Sequence, residues 1–361
     1  MTETKRIAVL PGDGVGIEVV REARQLLELY RGRGFPLELW DLDLGADRYL
    51  RDGVTMPDDV LAEIRERCAA VLLGALGDPR VRGVDHARPI LFGLRFGCDL
   101  YANIRPVRAL ADRLVPLKGK GVADVDFVVF RENTEGAYAD VGGQLRRGTA
   151  DEIAINEDIN TRKGVERIIV AAFEYARRHG KRRVHMADKS NAMRHAHELW
   201  LRVFREIAPR YPEIEPIHLY ADALCVRILQ NPEEFQVIVT NNLFGDIISD
   251  LGSALAGGLG MAPSGNVHIA DPKRVAMFEP VHGSAPPLAG RDVANPFAAL
   301  LTAGLMLAHF GWPEEERRIE EAVRRAVAER KCTVDVGGEL GTRAAGAWVR
   351  EEIRRSLTSE A

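Results

Sequence analysis

Apolar positions along the chain follow two alternating rhythms. Short β-branched runs read as strands at Arg6–Leu10, Leu37–Leu42, Ala70–Ala75, Asp126–Phe130, Arg183–Ala187, Ile217–Tyr220 and Gln236–Thr240. Helical spacing falls between several of them, at Pro57–Arg67, Thr161–Arg178, Ala192–Ala208 and Ala223–Leu229. Val19, Ala23, Leu26, Leu27 and Tyr30 mark another helix after the first strand. This alternation predicts an α/β chain with largely parallel sheets. From about Phe297 onward the pattern is helical only, at Phe297–His309, Glu314–Glu329 and Ala344–Leu357. A helical tail needs a surface to cover, so it is expected to pack back on the N-terminal sheet and make one domain discontinuous. Residues 139–160 break the rhythm: glycine-rich, then β-rich at Glu152–Asn156, they are expected to form an arm that pairs with another subunit.

The chemistry gathers where these elements end. The first strand runs into Pro11-Gly12-Asp13-Gly14-Val15-Gly16. Its G-x-G-x-G spacing misplaces the third glycine of a dinucleotide fingerprint, so a tight turn at a cleft mouth is expected instead of a Rossmann site. After the strand Gln236–Thr240, residues Asn241, Asn242 and Gly245 read as a turn. Asp246 and Asp250 then share one helix face. Spacing alone fits a capping Asp246 and a solvated Asp250 better than a metal pair. A divalent cation would turn their mutual repulsion, about 0.2–0.5 kcal/mol, into an oxygen-ligand site. Asp222, after another strand, is the natural third carboxylate or a helix cap.

Arg95, Arg105 and Arg131 sit beside apolar segments, where arginine suits a bidentate grip on carboxylates or an ordinary ion pair. Lys189 follows a strand end, where ligands collect in open α/β sheets; it reads as a base or as a solvated lysine. Tyr138 reads as packing or as a proton donor. Phe278–Pro296 is a loop rich in small residues, suited to close approach of a flat ligand.

Size and charge narrow the classes. At 361 residues two domains are expected. A net charge of −4 makes no case for nucleic acid. MTETKRIAVL enters a strand without a signal-peptide pattern, and no apolar run is long enough to span a bilayer. Four widely spaced cysteines without C-x-x-C fit a reducing cytoplasm. These features disfavour an exported two-domain solute-binding protein.

Taken together, LPGDGVGIEV, LRFGCDLYANIRP, RENTEGAY, DKSNA, YADALC, TNNLFGDIISDL and FEPVHGSAP with VANP resemble one family in order, and TVDVGGELGTRA agrees. That family is the metal-dependent β-decarboxylating dehydrogenases of 2-hydroxy acids, the isopropylmalate/isocitrate dehydrogenase family. The resemblance implies a fold of two α/β domains with a cleft between them, not a Rossmann fold. It places residues 1–100 plus 257–361 in a large discontinuous cofactor domain. Residues 101–256 become a second domain with substrate, metal and dimer elements, and the arm falls at about 139–160. It implies Tyr138 and Lys189 as the catalytic pair, and Arg95, Arg105 and Arg131 as substrate binders. Asp222, Asp246 and Asp250 are implied as ligands of Mg2+ or Mn2+. Glu279, His282, Gly283, Ser284, Ala285, Pro286, Asn295 and Asp335 are implied as binders of NAD, with NADP open. It also implies a homodimer in which Lys189 and Asp222 enter the partner's site.

Two departures bear on specificity. Pro287 and Leu288 stand where NAD-using members carry an aspartate and an isoleucine, and proline cannot accept a ribose hydrogen bond. Arg291 is the nearby basic residue. Leu91 and Phe92, with Gly93 and Ala192, would line the pocket for the substrate's side group; their apolar character fits an alkyl group, while Arg88 would suit a carboxylate. The expected reaction is 3-isopropylmalate to 4-methyl-2-oxopentanoate plus CO2, in leucine biosynthesis. D-malate or tartrate comes second, then homoisocitrate or isocitrate.

Overall fold

The computed structural model describes residues 3–83 and 85–359. It separates into two compact units. One gathers Met1–Leu100, Arg108–Val122 and Ser253–Ala361; the other gathers Tyr101–Val107 and Ala123–Gly252.

In the first unit the strands lie in the order Leu37–Asp41, Lys5–Leu10, Ala70–Leu73, Ala276–Phe278, Gly265–Val267. The first four are parallel and the last is antiparallel to its neighbour. Alternate residues of the central strands serve opposite faces. Ala8, Leu10, Val71, Leu73 and Met277 pack with Ile64, Ile90 and Leu94 on one side. The helices Val15–Gly32, Phe297–His309, Pro313–Ala328 and Thr342–Ser359 pack against one another in the same unit. Phe297–His309 buries residues around most of its circumference, as a helix at the centre of a layer must. The C-terminal helices lie in the unit that holds the N-terminal strand.

The strands Ala276–Phe278 and Gly265–Val267 were not foreseen, being three residues each. That is too short for an alternation to register. The glycine turn is a close-approach device. Gly12 and Gly14 hold φ of 72° and 56°. A Cβ on Gly14 would overlap the Ser284 carbonyl, which accepts a 2.8 Å bond from Val15 N–H.

In the second unit the strand order is Ala102–Arg108, Asp126–Glu132, Val237–Thr240, Arg183–Asp188, Glu215–Tyr220. Parallel register sets Thr240 level with Arg131 on one side and Ala187 on the other. The segments that follow, from Asn133, Asn241 and Lys189 onward, thus leave the sheet at the same end. Helix Arg162–Arg178 is capped by Thr161, whose hydroxyl accepts from Gly164 N–H. Gly142–Leu145 and Ile153–Asn156 pair as a separate antiparallel hairpin in which every strand residue is exposed. The expected helix from Ala192 begins only at Ala196, because the Lys189 carbonyl first accepts from Ala192 and Met193 N–H in a turn.

His185 lies in the middle strand of this unit, fully buried, with its ring 4.5 Å from Phe235 and neither nitrogen partnered among the described residues. Burial pushes its pKa from 6.5 down to about 4. The unfolded chain takes that proton at the ordinary value and the folded chain does not. Stability is therefore complete above about pH 6.5 and falls as pH drops toward 4, by up to about 1.4 kcal/mol per pH unit. Denaturant melts across that window are expected to show a shallower decline for His185→Phe than for the natural chain.

Candidate active site

Arg131 ends the strand Asp126–Glu132 and is 1% exposed, so its charge needs partners on every side. Its Nε and Nη2 donate to Asn242 Oδ1 at 3.0 and 2.7 Å, and Nη1 pairs with Asp246. Arg105, also buried, reaches Asp246 Oδ1 at 3.1 Å and Asp250 Oδ1 at 3.5 Å, and is steadied by Asn103 and Ser249. Tyr138 Oη donates to Asp246 Oδ2 at 3.0 Å, with the Arg131 guanidinium 5.2 Å from its ring centroid. Arg105, Arg131, Tyr138, Asp246 and Asp250 thus come together on one unit.

One expectation is corrected here. Asn242 and Gly245 do not form a turn; they lie inside the helix Asn242–Leu255, which Asn241 caps by accepting from Phe244 N–H at 2.9 Å. The glycine serves contact, not turning. A Cβ on Gly245 would come within 2.6 Å of Arg131 Cβ and Cγ. Glycine lets the helix lie against the arginine it neutralises.

The carboxylates are electrostatically tense. Burial first, and then the charge of Asp246, push the Asp250 carboxyl above the usual range, while Arg105 and Arg131 pull it back. Two hard oxygen donors one helical turn apart, one of them half exposed, fit a Mg2+ or Mn2+ ion.

Lys189 and Asp222 form a second group in this unit. Lys189 follows directly on the strand Arg183–Asp188, and its Nζ lies 2.5 Å from Asp222 Oδ1. Asp222 sits in the first turn of the helix Ala221–Gln230, where Tyr220 is the capping position. The Lys189 bond holds its carboxyl below the ordinary range. Among the described residues no three His, Cys, Asp or Glu side chains converge on a metal-sized site. Asp222 therefore does not join Asp246 and Asp250 within one chain.

The remaining candidates lie on the first unit. Arg95 is buried on the helix Ala87–Gly97 and donates to Glu279 Oε1 at 2.8 Å, while its Nε has no partner among the described residues. Leu91 and Phe92 are half buried on the same helix; Phe92 stacks on Phe96 at 5.2 Å and lies under the Arg88 guanidinium. Asn295 Nδ2 donates to Asp335 Oδ2 at 3.0 Å. In the loop between, Ala285 adopts φ of 38°, and Gly283 has open space where a Cβ would stand. His282 Nδ1 lies 3.0 Å from Gly283 O, which leaves Nε2 a buried acceptor without a partner among the described residues. Burial lowers the His282 pKa, keeping that acceptor available. An unused acceptor beside backbone that admits close approach fits a base carrying an exocyclic amine. The Pro287 carbonyl accepts from Arg291 at 3.4 Å.

Sequence reasoning missed Asp13. Its carboxylate accepts from Ala46 N–H at 2.6 Å and Gly77 N–H at 2.7 Å and meets the buried His86 at 2.7 Å. The aspartate inside the glycine turn was the available signal.

With this geometry in hand, the comparisons are direct. The family model for isocitrate/isopropylmalate dehydrogenase matches residues 6–352. The chain is 42% identical over 349 residues to a 3-isopropylmalate dehydrogenase of Thermobifida fusca, covering 95% of this chain and 98% of that one. It is 40% identical over 351 residues to one from Streptomyces coelicolor, covering 96% and 100%. Among solved structures, an isocitrate dehydrogenase from Methylococcus capsulatus aligns with a TM-score of 0.87 at 34% identity, covering 97% of this chain and 100% of that one. The protein is a decarboxylating dehydrogenase in class. The chain belongs to the isocitrate/isopropylmalate dehydrogenase family and has its fold.

The contact between Gly245 and Arg131 can be tested directly. Alanine improves helix propensity by about 1 kcal/mol. Gly245→Ala is nonetheless expected to destabilise the protein by about 1–3 kcal/mol, from overpacking against a pinned side chain. Equilibrium unfolding in urea reads the sign; a stabilised variant would show that Arg131 moves freely.

Proposed function

We propose that this enzyme oxidatively decarboxylates a 3-substituted malate, with 3-isopropylmalate as substrate and 4-methyl-2-oxopentanoate and CO2 as products, in leucine biosynthesis. NAD is the oxidant, Mg2+ or Mn2+ the metal, and a homodimer the working form. One observation carries the reading: two buried arginines and a tyrosine converge on the carboxylates Asp246 and Asp250. The curated relatives named 3-isopropylmalate dehydrogenase support the choice of substrate.

In this reading Asp246 and Asp250, with Asp222 from the partner chain, hold the cation. That ion would supply Lewis acidity at the substrate's hydroxyl, and the nicotinamide would take the hydride. Arg105 and Arg131, with Arg95, bind the malate carboxylates and fix their orientation. The unpartnered Nε of Arg95 is a donor in reserve for such a carboxylate. Lys189 accepts the hydroxyl proton, directly or through water. Tyr138 Oη donates a proton to the carbon from which CO2 departs. Glu279, His282, Gly283, Ser284, Ala285, Pro286, Asn295 and Asp335 receive the cofactor.

Leu91 and Phe92 favour an alkyl side group over a carboxylate. Arg88 does not offset this, since its guanidinium lies over the Phe92 ring. D-malate and tartrate are the second reading. NAD is preferred over NADP because Arg291, the basic residue of the loop, is turned to the Pro287 carbonyl, whereas a 2′-phosphate needs a firm cationic partner.

Purified protein with Mg2+ or Mn2+ is expected to reduce NAD fastest with 3-isopropylmalate, and EDTA should abolish the reaction. Absence of turnover with isopropylmalate, D-malate, tartrate, isocitrate and homoisocitrate, with either NAD or NADP, would overturn the proposal.

A further inference from the structure

We propose that His197, outside the residues assigned above, is a positioning residue for Lys189. This rests on Lys189 being the base. His197 is fully buried near the start of the helix Ala196–Ile207. Its Nδ1 accepts the Lys189 backbone N–H at 2.8 Å. Because a backbone N–H can only donate, Nδ1 is the nitrogen without hydrogen, and the ring hydrogen belongs on Nε2. Asp158 Oδ2 lies 3.3 Å from Nε2 and accepts it. Asp158 is itself held by Asn160 Nδ2 at 2.9 Å, and Asn160 Oδ1 accepts from Trp200 Nε1 at 2.8 Å. The tautomer that suits Lys189 is thus selected by a chain of side-chain bonds running back to the same helix.

The Lys189 carbonyl is held as well, by Ala192 and Met193 N–H at 2.9 and 2.8 Å, and Met193 O accepts from His197 N–H at 3.0 Å. Both faces of the Lys189 peptide frame therefore refer to one imidazole and its helix. The Asn241 amide nitrogen lies 3.2 Å from the same Nε2, a packing contact and not a hydrogen bond because both nitrogens carry hydrogen, and Asn241 caps the helix that carries Asp246 and Asp250. A long flexible lysine serves as a base only where its stem is anchored. Here the anchor is on its own backbone, and the same imidazole touches the cap of the carboxylate helix. Misplacement of a reacting group by about 1 Å costs on the order of 100-fold in rate.

The test compares two amide replacements. His197→Asn keeps an acceptor near the Nδ1 position. His197→Gln places its amide near Nε2 and loses the bond to Lys189. For His197→Gln, kcat is expected to fall about tenfold or more, with KM for the 2-hydroxy acid nearly unchanged and a larger deuterium isotope effect from substrate labelled at C2. His197→Asn should recover most of the rate. Equal kcat in the two variants, or a loss confined to KM or to melting temperature, would overturn the positioning role. Should His197→Gln fail to fold, Asp158→Ala takes its place; it frees the ring to place its hydrogen on Nδ1, and an unchanged kcat there contradicts the proposal. Lys189→Ala, run alongside, separates the two ideas. If it retains normal turnover, the base assignment fails; if it is inactive while His197→Gln is normal, only the positioning role fails.

Discussion

A guanidinium buried at a strand end governs the arrangement of the second unit's site. Arg131 is charged at any accessible pH and has almost no access to water, so its surroundings must supply compensation. Asn242 and Asp246 provide it from one helix, and that helix can come close enough only because residue 245 is glycine. Tyr138 then finds its hydroxyl partner on Asp246, and Arg105 joins from the neighbouring strand. The cluster that would grip a substrate carboxylate is thus also what closes the charge balance of the fold.

Much of this was legible in the sequence, for identifiable reasons. The strands Asp126–Glu132, Arg183–Asp188 and Val237–Thr240 announce themselves as β-branched runs, and parallel register puts their ends level. That alone brings the segments carrying Tyr138, Lys189 and Asp246 to the same end of the sheet. The roles of Gly245 and His197 were hidden because each acts through a tertiary contact that no periodicity announces: Gly245 against the distant Arg131, His197 back across a turn to the Lys189 backbone. Gly245 resembles a turn residue until Arg131 is seen against it. His197 resembles a core histidine until the Lys189 N–H is seen to donate to it. The strand Ala102–Arg108 was missed because Arg105 and Pro106 interrupt its apolar pattern. Its polar Arg105 is nevertheless buried and is among the functional residues proposed here.

The division of the site into two groups gives the proposed function its most specific consequence. Lys189 and Asp222 bond to each other, and Asp246 and Asp250 stand with the arginines. Each carboxylate-bearing helix also exposes apolar side chains: Val226 and Leu229 beside Asp222, Leu243 and Ile247 beside Asp246. In the proposed homodimer these exposed apolar residues are the surface that a second copy would cover. A second copy would bury them and bring its Lys189 and Asp222 to the first copy's Asp246 and Asp250. Among the described residues no helix is long and apolar enough to cross a membrane.

The central claim is that a working site needs two chains, and complementation tests it most directly. Lys189→Ala and Asp246→Ala proteins are each expected to be inactive alone. Unfolded together and refolded, they should regain roughly a quarter of natural activity per chain, since half of randomly assorted dimers are mixed and each mixed dimer holds one intact site. No recovery from a mixture shown to contain mixed dimers would mean that each chain builds its site alone, and would contradict the account.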